Sequence, residues 1–284
     1  MIIDGRKILA SILEGLKQEV KNLPFQPVFC DVLVGDDEVS ASYVRIKAKT
    51  AEKIGIKFRH AKYPENISAT ELISEIKKIG QEPNMCGLIV QLPLPENLPR
   101  QEILDAVERN IDVDCMNSAN LGRFYKGDIY LIPPTAAAII EILKTLKVDL
   151  SKKNILVVGQ GELVGKPVSF LLKKQGFQVN QADKNTQNKE SLFKSADVII
   201  SATGKPGIVT GSMIKPGSIV IDAGTSEANG GGIVGDADFE SVSKVASTIS
   251  PVPGGVGPVT VAMLLKNVLT VAQKQKSGKQ QIQN

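Results

Sequence analysis

Histidine is nearly absent: the 284-residue chain has one, His60. A Ser-His or Cys-His catalytic system could use only that residue, and a metal site built on several histidines is excluded. Cysteine is scarce too. Cys30, Cys86 and Cys115 lie far apart, are odd in number and form no CxxC, which excludes a zinc ribbon or a thioredoxin-type pair. A disulfide framework is not expected, and a reducing cytoplasm fits best. A strong charge bias is also missing. Thirty-four Lys+Arg against 30 Asp+Glu leave +4, too small an excess for the clustered basic face of a nucleic-acid binder. No apolar run approaches the roughly 20 residues of a membrane span. Met1-Ile-Ile-Asp-Gly-Arg-Lys7 has no apolar core of a secretory signal. The expectation is a cytoplasmic protein without nucleic-acid or membrane partners.

What is present is ordinary in bulk. Hydrophobic residues at 42% and charged residues at 23% suit a folded globular chain rather than a disordered one. The length suggests two domains, each able to bury a core. Residues 6–23 carry a helical apolar stripe, Val28–Val34 reads as a buried strand, and Gly35-Asp36-Asp37 as a turn. Ser40 is the expected cap of a helix running to Gly55, and a strand spans 56–63. Ser68-Ala-Thr-Glu71 forms a capping box for a third helix. Strand 86–92 stops at Pro93, and a helix covers 135–146. A second series follows: strand 154–158, a helix to Lys174 closed by Gly176, strand 177–182, a helix near 189–195, and strands 197–202 and 218–223. A last helix, about 259–275, leads into a Lys/Gln tail from Gln273 to Asn284 that is expected to fray. Alternating strands and helices imply α/β architecture with parallel sheets.

Gly159-Gln160-Gly161-Glu-Leu-Val164-Gly165 follows a strand and opens a helix. Glycine lets backbone approach a pyrophosphate closely, and a helix N-terminus presents free N–H groups to the anion. The spacing is one residue longer than GxGxxG, so the motif alone is weak. Asp183 stands 24 residues after Gly159, at the end of the next strand, near where an acid reads the adenosine ribose hydroxyls. A plain turn role for it is equally open, and Lys184 could instead hold a 2′-phosphate. Ser201-Ala-Thr203-Gly204-Lys-Pro-Gly207 and Asp222-Ala-Gly224 each follow a strand, where open α/β sheets bind ligands. Both could equally be plain connecting turns.

Four segments carry a family likeness: Tyr43-Val-Arg-Ile-Lys47, Val90-Gln-Leu-Pro-Leu-Pro95, Asp112-Val-Asp114 and Pro251-Val-Pro-Gly-Gly-Val-Gly-Pro-Val-Thr260. With them the chain resembles the bifunctional methylenetetrahydrofolate dehydrogenase/methenyltetrahydrofolate cyclohydrolase family over nearly its whole length. The resemblance implies a folate-binding domain over 1–138, with the helix of 263–284 packing back on it, and a Rossmann-type domain over 139–262. It implies a cleft between them, a tetrahydrofolate one-carbon derivative as substrate, NADP or NAD as cofactor, and a homodimer. It makes Lys47 the catalytic lysine, Tyr43 the ring stacked near the folate, Gln91 the partner of that lysine, and Asp114 the acid that holds the pterin. Pro253, Gly254 and Gly255 become the loop over the folate. Gly159, Gln160, Gly161, Val164, Gly165, Asp183, Lys184, Thr203, Gly204 and Gly224 become the cofactor contacts.

Physical chemistry agrees with these roles without demanding them. Tyr43 and Lys47 share a helix face. Burial disfavours a lysine's charged form, so a neutral or proton-sharing Lys47 could activate water. Taken alone, Arg45, Lys47 and Lys49 read as a solvated face, and Asp114 as a turn residue. Gln91 ends an apolar strand and should face a cleft. His60 reads as a strand or surface residue. Four departures stand out. Cys115 follows Asp114 where the family usually has glycine, and either reshapes the folate pocket or packs inertly. Pro133-Pro-Thr-Ala136 replaces Pro-Cys-Thr-Pro, and Thr225-Ser226 stand near the expected nicotinamide contacts. Gln160 replaces an arginine that commonly holds the 2′-phosphate, which tilts the expectation to NAD, while Lys184 keeps NADP open. The competing readings are a single-activity family member, a dehydrogenase of the shikimate type, and a non-catalytic folate or dinucleotide binder.

Overall fold

A computed structural model describes residues 1–228 and 231–282, with side chains described through Ser277. It divides into two compact units, Met1–Ala10 with Thr135–Met263, and Ser11–Pro134 with Leu264–Asn284.

The unit of Ser11–Pro134 is built on a parallel three-stranded sheet in the order β2-β1-β3. Helix α1 (Gly5–Lys21) precedes β1 (Val28–Val34), then come α2 (Glu38–Lys53), β2 (Lys57–Tyr63), α3 (Ala69–Gly80) and β3 (Met85–Val90). β1 lies between its neighbours, so from Phe29 onward every residue is buried. That explains its run of apolar side chains and makes its one acid, Asp31, conspicuous. Two short helices follow, α4 (Arg100–Asp105) and α5 (Ser118–Tyr125), which the sequence reading leaves out.

Two helix starts test the capping argument. Ser68 caps α3 as expected, its hydroxyl accepting from the Glu71 N–H. Ser40 does not cap α2. Asp37 does, accepting from the Ser40 N–H at 2.6 Å, because a carboxylate also answers the positive end of the helix dipole.

The other unit holds a parallel five-stranded sheet, β10-β7-β6-β4-β5. Its elements are α6 (Pro134–Thr145), β4 (Ile155–Val158), α7 (Gly165–Lys174), β5 (Val179–Ala182), α8 (Lys189–Ser195), β6 (Val198–Ser201) and β7 (Ile219–Asp222). The hairpin β8 (Ser226–Glu227) and β9 (Ile233–Val234), helix α9 (Phe239–Ser243) and strand β10 (Thr248–Ile249) complete it. Leu156, Phe193, Ile199, Val220 and Val242 sit in its core. Strand order reverses at β4, between β5 and β6, the place where doubly wound sheets take ligands.

Helix α10 (Val256–Ile282) is longer than expected and runs through Gln273 and on to Ile282; only 283–284 of the expected frayed tail fall outside the described residues. Within it, Val256–Ser277 has the length and mean hydropathy, 1.3, of a membrane span. This corrects the expectation of no such run: Lys266 is the only charged residue in Val256–Gln273, although Thr260, Asn267 and Thr270 also lie in it. Two thirds of that stretch (67%) is buried inside the protein, which accounts for its apolar character as core.

Candidate functional site

Two clusters of the expected residues emerge, one in each unit. In the first, α2 turns Lys47 inward. Arg45 and Lys49 are exposed, but Lys47 retains only 7% of its surface. The solvated-face reading therefore fails at the one position in three where it matters. The Lys47 ammonium donates to Gln91 Oε1 at 2.7 Å. Gln91 is one residue beyond β3, pinned by its own N–H to the Val32 carbonyl and by its side-chain amide to the Leu92 carbonyl. Tyr43 sits one turn before Lys47 on α2, half-buried.

A residue that the sequence reading leaves out completes this cluster. Asp31, fully buried in β1, places Oδ2 2.5 Å from the Lys47 Nζ. Its signal in the sequence is a lone acid inside Val28–Val34, a costly substitution unless paired. The pairing gives Lys47 an acidic partner that the reading from burial alone does not include. Burial holds the Asp31 carboxyl above its ordinary range, with Lys47 and then His60 pulling against it.

Asp114 is half-buried, and burial lifts its carboxyl to about 6; Lys47 opposes this, while Asp112 and Asp31 add to it. The two acids of Asp112-Val-Asp114 divide their work. Asp112 is buried and accepts from the Met116 and Asn117 N–H groups and the Asn120 amide, closing the turn that presents Asp114. Asn267 of α10 fastens the same segment, donating to the carbonyls of Val113 and Ile132. Cys115 is buried with φ +58°, the left-handed conformation that glycine adopts freely. Burial holds its thiol well above the ordinary range, so it is not a nucleophile at neutral pH. It lines a cavity of about 800 Å³ with Lys77, Arg109, Asn120 and Tyr130, whose lining does not include Tyr43, Lys47, Gln91 or Asp114.

In the second cluster, β4 delivers the glycine loop to α7. Gly159 has φ +89°, and a Cβ there would lie 2.4 Å from the Ala202 carbonyl oxygen. A Cβ on Gly165 would lie 1.8 Å from the Gly159 carbonyl oxygen. Packing therefore demands both glycines. It does not demand Gly161, whose missing side chain would meet nothing within 4 Å. Open space above Gly161, beside a helix whose N-cap residue Val164 supplies no side-chain cap, fits close approach by a dinucleotide pyrophosphate.

Gln160 folds back instead of pointing outward. Its amide donates to the Gly159 carbonyl and its oxygen accepts from Gln181, which accepts in turn from Lys173. Asp183 is exposed at the end of β5, where Oδ1 accepts from the Asn185 N–H and the Thr186 hydroxyl. It thus makes a turn while leaving Oδ2 outside those bonds. Lys184 is exposed beside it.

Thr203 and Gly204 lie on the loop after β6. Buried Asp236 ties that loop down, accepting from the Ser201 hydroxyl, the Thr203 N–H and the Lys205 N–H. Gly224 is fixed by the same acid, since a Cβ there would fall 2.0 Å from Asp236 Oδ1. Asp222 accepts from the Gly224, Asp236 and Ala237 N–H groups. Its burial still raises its carboxyl to about 6. Sequence reasoning misses Asp236 because Gly235-Asp-Ala-Asp238 looks like one more turn.

Pro253, Gly254 and Gly255 pack on the N-terminal segment. The Gly5 N–H donates to the Gly254 carbonyl, and a Cβ on Gly5 would lie 1.8 Å from the Gly255 oxygen. His60 is an exposed residue of β2, as expected.

Comparison with known proteins places both halves of the chain in one family. Residues 3–114 match the tetrahydrofolate dehydrogenase/cyclohydrolase catalytic domain, and residues 133–276 match the NAD(P)-binding domain of the same enzymes. The bifunctional protein FolD of Nautilia profundicola is 42% identical over 96% of this chain and 97% of its own. The FolD methylenetetrahydrofolate dehydrogenase/cyclohydrolase structure from Campylobacter jejuni superposes with a TM-score of 0.91 at 35% identity, covering 97% of this chain and 99% of its own. The Trypanosoma brucei enzyme, complexed with NADP and an inhibitor, gives 0.92 at 33% identity over 97% and 98%. These matches do not favour a dehydrogenase of the shikimate type. The chain belongs to the tetrahydrofolate dehydrogenase/cyclohydrolase family.

Proposed function

We propose that this chain oxidises 5,10-methylenetetrahydrofolate to 5,10-methenyltetrahydrofolate with NAD(P), then hydrolyses the product to 10-formyltetrahydrofolate. The observation that carries the reading is the buried Lys47–Gln91 pair, because a desolvated lysine held by a second side chain serves chemistry better than it serves stability.

When bound, a nicotinamide would supply the hydride acceptor for the oxidation. The protein's part is positioning. Gly159, Gly161, Val164 and Gly165 would take the pyrophosphate, Asp183 and Lys184 the adenosine ribose, and Thr203, Gly204 and Gly224 the nicotinamide end. Gln160 shapes the loop from behind, through its bonds to Gly159 and Gln181. In the hydrolysis, Tyr43 supports the pterin ring, Asp114 binds its polar edge, and Lys47 with Gln91 serves the one-carbon centre. Pro253, Gly254 and Gly255 would cover the folate. We assign 1–138, with the helix of 263–284, to the folate-binding domain and 139–262 to the dinucleotide domain. A cytoplasmic homodimer is the assembly we infer.

The test follows both reactions on one preparation, with NAD and NADP separately. Turnover of methylenetetrahydrofolate with either dinucleotide, and of methenyltetrahydrofolate without one, is expected. Absence of the second alone would leave a single-activity dehydrogenase. Sedimentation at the mass of one 30.4 kDa chain would overturn the dimer.

A further inference from the structure

Asp31 is a poor structural residue. It stands in the central strand of its sheet, paired across β2 to His60 and across β3 to Ile89, with no exposed surface. Its Oδ1 has no hydrogen-bond donor among the described residues, and Oδ2 meets one cation, Lys47. An aliphatic side chain would fill such a strand at lower cost, since a buried ion pair seldom outperforms well-packed apolar groups. The fold therefore gives no reason for this acid, and the chemistry next to it does.

We propose that Asp31 is a positioning residue for the hydrolytic step: it holds Lys47 as an ammonium, aimed by Gln91, so that Lys47 gives a proton to the departing nitrogen rather than taking one from the attacking water. This deepens the reading above and rests on Lys47 being the hydrolytic residue. Water attacks the methenyl carbon, a C–O bond forms, and one water proton leaves to solvent. The bond from that carbon to N5 then breaks with its electron pair staying on N5, which takes a proton from Lys47. The hydroxyl proton passes to Lys47 as the formyl C=O forms. One cation and one water give 10-formyltetrahydrofolate and one released proton, and Lys47 ends as it began. The Asp31 charge also offsets the ammonium, so a cationic substrate does not meet a net positive wall.

Among the described residues, the other titratable groups that interact with this pair are His60 on β2, Asp114 on the segment after β3 and Cys30 beside Asp31 on β1; Arg59 on β2 is turned to Cys30 and Glu82. All of them stay in place in the test. D31N keeps the volume, and D31L supplies the apolar group that β1 otherwise carries. Either leaves a buried ammonium without counter-charge, a state that burial disfavours.

Methenyltetrahydrofolate hydrolysis is followed against pH, with the uncatalysed rate subtracted at each point. The descending basic limb is expected at least one pH unit lower in D31N and D31L than in the unsubstituted enzyme. At a pH on that limb this is a loss of about tenfold, restored on acidification. The position of the limb, unlike the rate, does not depend on how much of a preparation is folded. An unmoved limb, or a variant that gains activity as pH rises, overturns the proposal. Full hydrolysis by K47M would instead overturn the reading of Lys47 itself, which separates the two failures.

Discussion

Asp31 in the three-stranded unit and Asp236 in the five-stranded unit are equally shut off from water and are held in opposite ways. Asp236 accepts from one hydroxyl and two backbone N–H groups, at 2.6, 2.6 and 2.9 Å. Its charge is spread over neutral donors that cannot themselves gain or lose a proton at ordinary pH. Asp31 leans on a single ammonium. The first arrangement fixes a loop. The second makes a chemically active pair, because the proton of one partner is within reach of the other. Burial alone does not tell a scaffold acid from a working one; the identity of its donors does.

The hardest blow to this contrast is K47M. Hydrolysis should fall by about 10³-fold, the scale of a lost proton-transfer group. Because Asp31 would be stranded, stability near neutral pH should drop by about 3–5 kcal/mol, and the drop should shrink on acidification as Asp31 takes up a proton. The double variant D31L/K47M should recover most of the melting temperature and none of the hydrolysis. A K47M protein that melts like the parent would mean that Asp31 does not depend on Lys47.

D236N tests the other side. An amide can accept with only one of its two heads, so at least one buried donor faces an N–H, at a cost of about 2–3 kcal/mol. The loop carrying Thr203 and Gly204 loosens, and the KM for the dinucleotide should rise about tenfold, equivalent to 1.4 kcal/mol. Methenyltetrahydrofolate hydrolysis, which needs no dinucleotide, should persist and serves as the folding control. Equal loss of both activities would make Asp236 a general fold residue.

The fold was legible wherever local signals agree with burial. Val28–Val34, with a turn after it, is a strand as read, and Ser68 caps α3. Boundaries move by a residue or two where a polar group sits at an end, as Gln91 does just beyond β3. The site was legible only where a residue's chemistry shows in its neighbours. Lys47 looked like one of three surface cations and needed family likeness to be singled out. Asp31 was passed over because an acid inside an apolar run looks like noise until its partner, 16 residues later on another element, is brought against it. Asp236 reads as turn punctuation, since its three donors lie more than 30 positions earlier. Long-range pairing is what one-dimensional pattern does not carry.

A subtler contrast lies in pH. Asp222, nearly buried beside Asp236, has its carboxyl raised from the model-compound value of 3.8 to about 6 in the folded protein. Between those values the folded state binds the proton more tightly than the unfolded chain. This group's contribution is therefore fully stabilising below about pH 4 and is lost as pH rises through 6, on the order of 3 kcal/mol. Exposed acids held low by their donors, such as Asp149, work in the opposite sense, but at more acid pH. Melting measured from about pH 6.5 down to 4.5 should show a rise that D222N flattens. An unchanged slope would assign the rise to Asp114 instead.

The smallest effect is expected at Cys115, where two costs oppose each other. A non-glycine residue at φ +58° is strained by about 1–2 kcal/mol, which C115G would relieve. Glycine loosens the unfolded chain by about 0.5–1 kcal/mol, and removing a buried thiol forfeits about as much again. The terms nearly cancel, so the melting temperature should move by less than about 3 °C, and the folate KM by less than about twofold. A marked rise would mean that strain dominates, with the thiol merely tolerated. A marked fall would mean that the side chain fills space between Asp112 and the cavity beneath it, giving this turn a packing role in holding Asp114 toward the substrate.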